Sequence, residues 1–273
     1  VIGSTGQAWM IVRMLILLPV ILLLAAVMTM TGRGGGNFYV PLLVAAGQPM
    51  HEAATTGQLI LVAAALTGML IFHKHKKVDW KLALVIDPPT DIMAFVGGYF
   101  SYLVSGVALK FILSGLLLVA AFCMLLKVHE RPIADRRRVG FWRRTFGDNQ
   151  YVVNLWLAIP ITAATGLAAG AVGISGGSFK VPLMVLLCGV PMDVAVGTSS
   201  AMVAVTALMG FLGHSTAGHF DWQWAVPAAC FAVAGSIIGA RQALKTRPKA
   251  LKTVFALTTL GAAIFMVINA LLS

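Results

Sequence analysis

The sequence predicts an all-α polytopic membrane protein made of two inverted repeats, each with five membrane crossings. Each repeat would contain four long helices and one short broken helix that follows a glycine-rich loop. The first observation behind this prediction is composition, since the chain is 59% hydrophobic and 11% charged, whereas a soluble domain is about 25% charged. The other two are a glycine-rich motif that occurs twice and basic residues that are concentrated in a few short stretches.

Eight long apolar segments supply the long helices. Each has about 18 to 25 residues, enough to cross a hydrocarbon core of about 30 Å. They occur near residues 11–31, 53–72, 82–104, 108–126, 152–170, 195–213, 223–240 and 251–272. Two shorter apolar stretches, 38–49 and 179–190, follow the glycine motifs and are too short to cross as helices alone. We expect extended glycine-rich backbone to complete these two crossings, because such backbone is tolerated where protein or a watery cavity surrounds it.

An internal duplication defines the two repeats. A shift of 141 residues superimposes the first motif on the second: Gly35, Gly36, Phe38, Val40, Pro41 and Leu42 fall on Gly176, Gly177, Phe179, Val181, Pro182 and Leu183. The correspondence continues downstream at a shift of 142, where Asp79 and Trp80 fall on Asp221 and Trp222. We therefore predict a first transmembrane repeat over residues 1–127, a basic cytoplasmic linker over 128–150 and a second repeat over 151–273.

The distribution of positive charge predicts the topology. Sixteen of the 20 lysines and arginines lie within residues 74–81, 127–144 and 241–252, and clusters of this kind mark cytoplasmic loops. All three clusters reach the cytoplasmic side only if the short broken helices cross. Five crossings per repeat then give the two halves opposite orientations and place both termini outside the cytoplasm. Inverted repeats with broken helices are typical of secondary transporters, which bind substrate between the halves.

Several functional classes are disfavoured by the same sequence. The basic stretches are brief and contain few aromatic residues, so nucleic-acid binding is not expected. His73, His75, His214 and His219 stand at loop ends without clustered carboxylates or cysteines, and we expect neither a metal nor a cofactor. No nucleophile and base occur together, which leaves a membrane-embedded enzyme or an accessory subunit as the less favoured alternative to a transporter. An anion channel is the nearest alternative.

The two glycine motifs are the candidate binding site. A helix that begins after such a loop directs backbone N–H groups and the positive end of its dipole toward the loop, an arrangement that binds anions. Lys180 and Arg33 add full positive charges inside the motifs, and cations at membrane depth are costly enough to indicate function. The alternative is that the glycines only permit close helix packing.

The second motif has the pattern G-x-x-G-G-x-x-x-V-P, followed by a glycine and by A-x-G-T-S. It is carried by Gly173, Gly176, Gly177, Val181, Pro182, Gly189, Ala195, Gly197, Thr198 and Ser199. This pattern resembles that of the sulfite exporter TauE/SafE family of membrane permeases. The resemblance implies transport of small sulfur-containing anions such as sulfite, thiosulfate, sulfoacetate or other organosulfonates, and we expect the chain in the bacterial inner membrane. The first repeat departs from the pattern, with Arg33 among its glycines and ATTG at 54–57 where the second repeat has VGTS.

Donor groups beside the motifs would suit the three oxygens of a sulfite or sulfonate. The predicted substrate-binding residues are Arg33, Gly35, Gly36, Asn37, Gln58, Ser175, Gly176, Gly177, Ser178, Lys180, Thr198, Ser199 and Ser200. Alternatively, the hydroxyl and amide groups bond only to neighbouring helices. The direction of transport, the natural substrate and the oligomeric state stay open.

Two acidic residues in the third long segment are candidates for coupling to a proton or sodium ion. Asp87 and Asp91 stand four residues apart beside Pro88 and Pro89, so they share a helical face if the prolines begin the helix. Charged groups inside a membrane commonly mark ion pathways. The alternative is a structural role, as a cap at a kink or as a partner of Arg33.

Overall fold

A computed structural model describes residues 4–125, 139–173, 177–216 and 222–271. The first half contains α1 (Ser4–Met30), α2 (Gly36–Ala45), α3 (Met50–Lys74), α4 (Trp80–Ile86), α5 (Pro88–Tyr99), a 3₁₀ turn (Phe100–Leu103) and α6 (Gly106–Leu125). A hairpin of β1 (Phe141–Phe146) and β2 (Asn149–Asn154) follows. The second half contains α7 (Leu155–Val172), α8 (Gly177–Pro182), a π turn (Leu183–Leu187), α9 (Met192–Ser215), α10 (Trp222–Ala243) and α11 (Pro248–Leu271).

The described helices have the length and surface of a membrane protein. Four of them, α3, α7, α9 and α10, are long and apolar enough to cross a bilayer. Large apolar side chains on the outside are exposed, such as Leu23 at 64% and Ile238 at 56%. An apolar surface of this kind is unfavourable in water and is the surface that lipid chains cover. The chain is therefore an integral membrane protein, as its composition predicts.

The segment predicted over residues 82–104 is divided into two helices. Asp79 caps the first of them, α4, where its side chain accepts a hydrogen bond from Leu82 N at 3.1 Å. The second helix, α5, begins at Pro88, in the first-turn position where a missing N–H costs nothing. Pro88 and Pro89 therefore begin a helix, and Asp87 lies at the junction between α4 and α5.

Helix packing relates each half to the other. The first helix of each half packs against the other half: α1 contacts α10, and α7 contacts α5. The third helices, α3 and α9, pack on each other, as do α6 and α11. Glycines permit the outer contacts, because an added Cβ at Gly97 would strike the backbone of Leu167, and one at Gly239 would strike the backbone of Ala26. These two glycines are also equivalent in the internal duplication.

The connection between the halves contains a β-hairpin that the sequence analysis missed. Its strands are antiparallel, and Phe146 pairs with Asn149 around a two-residue turn in which Gly147 has a φ of +56°. The hairpin extends into the predicted second repeat. Tyr151 and Val153 are buried in a core formed with residues of α3, α4 and the π turn. The adjacent arginines of FWRRTF obscured the alternation by which strands are identified. Residues 128–138 of the predicted linker lie outside the described part.

Candidate functional site

The glycine motifs pack against the opposite halves of the molecule. Gly32 and Gly173 are equivalent in the duplication, and both have positive φ, of +74° and +81°. A Cβ at Gly32 would overlap the backbone of Val196 in α9, and one at Gly173 would overlap Ala54 in α3. Each motif thus lies on the third helix of the other half, and only glycine allows this approach.

The crossing of α3 and α9 is lined by small and polar residues. A Cβ on Gly210 would lie 2.5 Å from Gln58 Nε2, and one on Gly68 would lie 3.6 Å from Ser200 Oγ. Gln58 and Ser200 are equivalent in the duplication, as are the two glycines. All four residues lie where the two halves meet, between the glycine motifs.

The hydroxyl groups at this crossing, which are the predicted site residues Thr198, Ser199 and Ser200 together with Thr56, which was not predicted, are of two kinds. Thr198 Oγ1 accepts a hydrogen bond from Asp79 N at 2.9 Å, and Ser200 Oγ donates to the carbonyl of Val196 at 3.2 Å. In contrast, Thr56 Oγ1 and Ser199 Oγ are fully buried and have no hydrogen-bond partner among the described residues. Buried hydroxyl groups without a partner are costly, so these two are the better candidates for contact with a ligand.

The two motif cations have different surroundings. Arg33 lies in the turn before α2 and is 2% exposed, and its Nε donates to Thr31 Oγ1 at 3.1 Å. Gly35 has a φ of +103° and caps α2, which Gly36 begins. Lys180 lies in α8 and is 1% exposed. Both cations are therefore inside the protein.

Lys180 joins the two predicted coupling residues in one cluster, in which Asp87 is buried and Asp91 is partly buried. Its Nζ lies 2.5 Å from Asp87 Oδ1 and donates to Thr206 Oγ1, also at 2.5 Å. Thr206 Oγ1 in turn donates to Asp91 Oδ1 at 2.6 Å. From the sequence, Lys180 and the two aspartates are predicted as separate sites, and Thr206 is not among the predicted residues. The signal was a lone hydroxyl in the apolar stretch VAVTALMG, about two turns after Thr198.

The side chains of several other predicted site residues are not described. Gly177 and Ser178 begin α8 and Asn37 lies in the first turn of α2, but only their backbone is described. Ser175 and Gly176 lie outside the described residues. The donors that can be assigned therefore come from Arg33, Lys180 and the α3–α9 crossing.

A second polar cluster, outside the membrane-spanning segments, links the hairpin to α4 and α9. The Asp79 side chain is fully buried and accepts from Arg144 Nε at 2.8 Å and Nη2 at 2.9 Å, and from the hydroxyl of Tyr151. Burial opposes ionisation of this carboxyl, but the hydrogen bonds from Arg144, Tyr151 and Leu82 N outweigh it and hold the pKa of Asp79 below its usual value. Hydrogen bonding to Asp79 likewise raises the pKa of Arg144.

Near the beginning of α9, a surface ion pair borders a small cavity. Lys77 Nζ contacts Asp193 Oδ2 at 2.6 Å, and both side chains are 39% exposed. The cavity has a volume of about 150 Å³ and is lined by Phe72, Lys77, Asp193, Val196, Ala243, Leu244 and Thr246. Asp193 lies in the first turn of α9, where a negative charge is favoured by the helix dipole.

Comparisons with known proteins agree with the membrane character of the chain. A family model described as "Sulfite exporter TauE/SafE" matches residues 17–266. The "Probable membrane transporter protein YunE" of Bacillus subtilis (strain 168) is 29% identical over 77% of this chain and 82% of that protein. "Probable membrane transporter protein YdhB" of the same organism is 23% identical over 84% and 89%, and a "Probable membrane transporter protein" of Xylella fastidiosa (strain 9a5c) is 26% identical over 86% and 88%. No solved structure matches the chain.

Proposed function

The chain belongs to the sulfite exporter TauE/SafE family of membrane transporters, and from this premise we propose that it carries small sulfur-containing anions by alternating access. It is a transporter and not an enzyme. The substrate class comprises sulfite, thiosulfate, sulfoacetate and other organosulfonates, whose shared feature is a compact group of negatively charged oxygens.

The proposed architecture is the ten-crossing inverted repeat, with repeats over residues 1–127 and 151–273. Its support is the reciprocal packing of equivalent helices, in which α1 on α10 has its counterpart in α7 on α5. The basic clusters orient the molecule in the bacterial inner membrane with both termini outside the cytoplasm. Rocking of one half against the other would expose the site alternately to the two sides.

The main support for the proposed site is that each glycine motif packs on the third helix of the opposite half. A ligand held between the motifs would therefore contact both halves at once, as alternating access requires. Backbone N–H groups at the start of α2 and the hydroxyls of Thr56 and Ser199 would hydrogen-bond the anion's oxygens. Arg33 and Lys180 would supply the positive charge that attracts it.

Counterflow into proteoliposomes tests this function. Vesicles loaded with unlabelled anion should take up labelled sulfite, thiosulfate or sulfoacetate saturably, and the internal anion should accelerate uptake, which an open channel would not show. Sulfate and acetate serve as competitors. Absence of counterflow with every sulfur anion would refute the proposed substrate class.

Two substitutions locate the site within the same assay. Thr56→Ala and Ser199→Ala should each raise KM, because a hydrogen bond to a charged group is worth about 1.5–3 kcal/mol, or roughly ten- to hundredfold. The matched control is Thr67→Ala, since Thr67 lies on α3 and its hydroxyl donates to the Ala63 carbonyl of its own helix at 2.8 Å. An unchanged KM in both site variants would exclude these hydroxyls from the site.

A further inference from the structure

The charges of the proposed transport site sum to zero. Arg33 and Lys180 are buried cations, and the buried Asp87 and the partly buried Asp91 are the matching carboxylates. We assign Arg33 to this group of charges because of its position. The adjacent Gly34 packs near α9, where an added Cβ would lie 3.4 Å from a methyl group of Val203. Val203 precedes Thr206 by about one helical turn. Asp79 and Asp87 are the buried carboxylates among the described residues, and Asp79 is neutralised by Arg144.

Charge balance makes the binding of one ion depend on the other. A monovalent anion alone would give this set of groups a net charge of −1, and a proton alone would give +1. Both together restore zero. Because an uncompensated charge inside a membrane protein is costly, the doubly loaded and the empty states are the two favourable ones.

The geometry of Lys180 provides the link between the two ions. Its ammonium group contacts Asp87 Oδ1 at 2.5 Å, so a substrate anion and this carboxylate compete for the same Nζ. A proton on Asp87 removes the carboxylate's charge and frees Lys180 to pair with the anion. Thr206 connects Lys180 with Asp91, which keeps the second carboxylate close to the same cation.

We propose that Asp87 is the site of an exchangeable proton, and that its protonation transfers Lys180 from the carboxylate to the substrate, so that proton and monovalent anion are carried together. This inference rests on the proposed transport function. A sodium ion fits the position less well than a proton, because the lysine ammonium already occupies the space beside Asp87 Oδ1, where a metal ion would need several oxygen ligands.

The described surroundings of Asp87 contain few other titratable groups. No residue of α7 is charged or titratable, and Lys81 of α4 is exposed. On α9, His214 lies about 12 Å along the helix from Thr206, and its ring nitrogens contact Ser101 Oγ and the Gly170 carbonyl. Asp193 lies about 20 Å away in the other direction and pairs with Lys77. Lys110 of α6, an element that contacts α8, has no described side chain.

Binding measured against pH tests the inference on the purified full chain. The probes are methanesulfonate and ethanesulfonate, two monovalent anions that do not titrate between about pH 5 and pH 8, where ordinary carboxyl and lysine groups are also nearly constant. Wild-type Kd should rise with pH by up to about tenfold per unit, the slope for one linked proton. The variant Asp87→Asn, which mimics the protonated acid, should bind with a Kd that does not change with pH. The matched control Asp148→Asn removes an exposed carboxylate of the hairpin turn and should behave as wild type.

Proton uptake gives a second readout that needs no variant. Anion influx into proteoliposomes that contain a pH-sensitive dye should carry about one proton per monovalent anion. Anion binding with no dependence on pH, flux that requires sodium, or a wild-type pH profile in Asp87→Asn would each overturn the coupling scheme and leave the transport function standing. Failure of every sulfur anion to bind at any pH would instead overturn the transport function itself.

Discussion

Replacement of Arg144 by glutamine should destabilise the protein through the buried carboxylate of Asp79. The substitution removes two hydrogen bonds, from Nε and Nη2, and leaves Asp79 with Tyr151 and Leu82 N as donors. Loss of one partner of a fully buried pair costs about 3–5 kcal/mol. Because the Arg144 side chain is 18% exposed and two donors remain, we expect about 2–3 kcal/mol here.

Thermal unfolding in detergent micelles measures this effect. A loss of that size should lower Tm by about 4–12 °C for a chain of this length. The matched control is Arg143→Gln on the same strand, where the side chain is exposed and the expected cost is below about 1 kcal/mol. Equal Tm values for the two variants would refute the assignment of Arg144 as the partner of Asp79.

The difference in Tm between wild type and Arg144→Gln should also depend on pH, which supplies a second test. The folded pKa of Asp79 is depressed, so its stabilising effect is fully present above its unfolded pKa of about 3.9 and is lost as pH falls through the folded value. Without Arg144 the depression is smaller. The gap in Tm between wild type and Arg144→Gln should therefore be constant near neutral pH and narrow below about pH 4. A gap that stays constant under acid conditions would contradict this reasoning.

Three further predictions concern the membrane-spanning part. Gly32→Ala should reduce the folded fraction in size-exclusion chromatography, because Gly32 has a positive φ and an added Cβ would overlap the backbone of α9. The control Gly115→Ala should leave the folded fraction unchanged, because an added Cβ there has no atom within 4 Å. Thr206→Val should lower transport in the counterflow assay by removing the hydroxyl between the ammonium and the second carboxylate, and Thr206→Ser should restore it. Thr198→Val should lower Tm by the equivalent of about 1–3 kcal/mol, because the buried N–H of Asp79 loses its acceptor; an unchanged Tm would mean that water replaces it.

Much of the helical framework could be predicted from the sequence, because apolar length reports directly on a membrane environment. The segments predicted over 53–72 and 195–213 are confirmed as α3 and α9, each a few residues longer at both ends. The family membership predicted from the second motif is confirmed as well. The helix positions and the family membership both depend on local residue patterns, and such patterns can be recognised in a single sequence.

The site was only partly predictable, because its decisive contacts join distant residues. Lys180 and Asp87 were identified separately as unusual charges at membrane depth, but nothing in their spacing indicates that they touch. Thr206 gave only a weak signal, since a single threonine in a helix is common. The substrate-binding assignments stay predictions, and so does the inverted architecture.

The burial of α9 has a consequence for biogenesis. This helix carries Thr198, Ser199, Ser200, Thr206 and His214, all of them buried against other elements. A helix with so many polar groups partitions less readily into lipid than one made of leucine. The surfaces that receive it, on α3 and α5, belong to the first half of the chain and leave the ribosome earlier. Order of synthesis thus provides the partners of α9 before α9 itself reaches the bilayer.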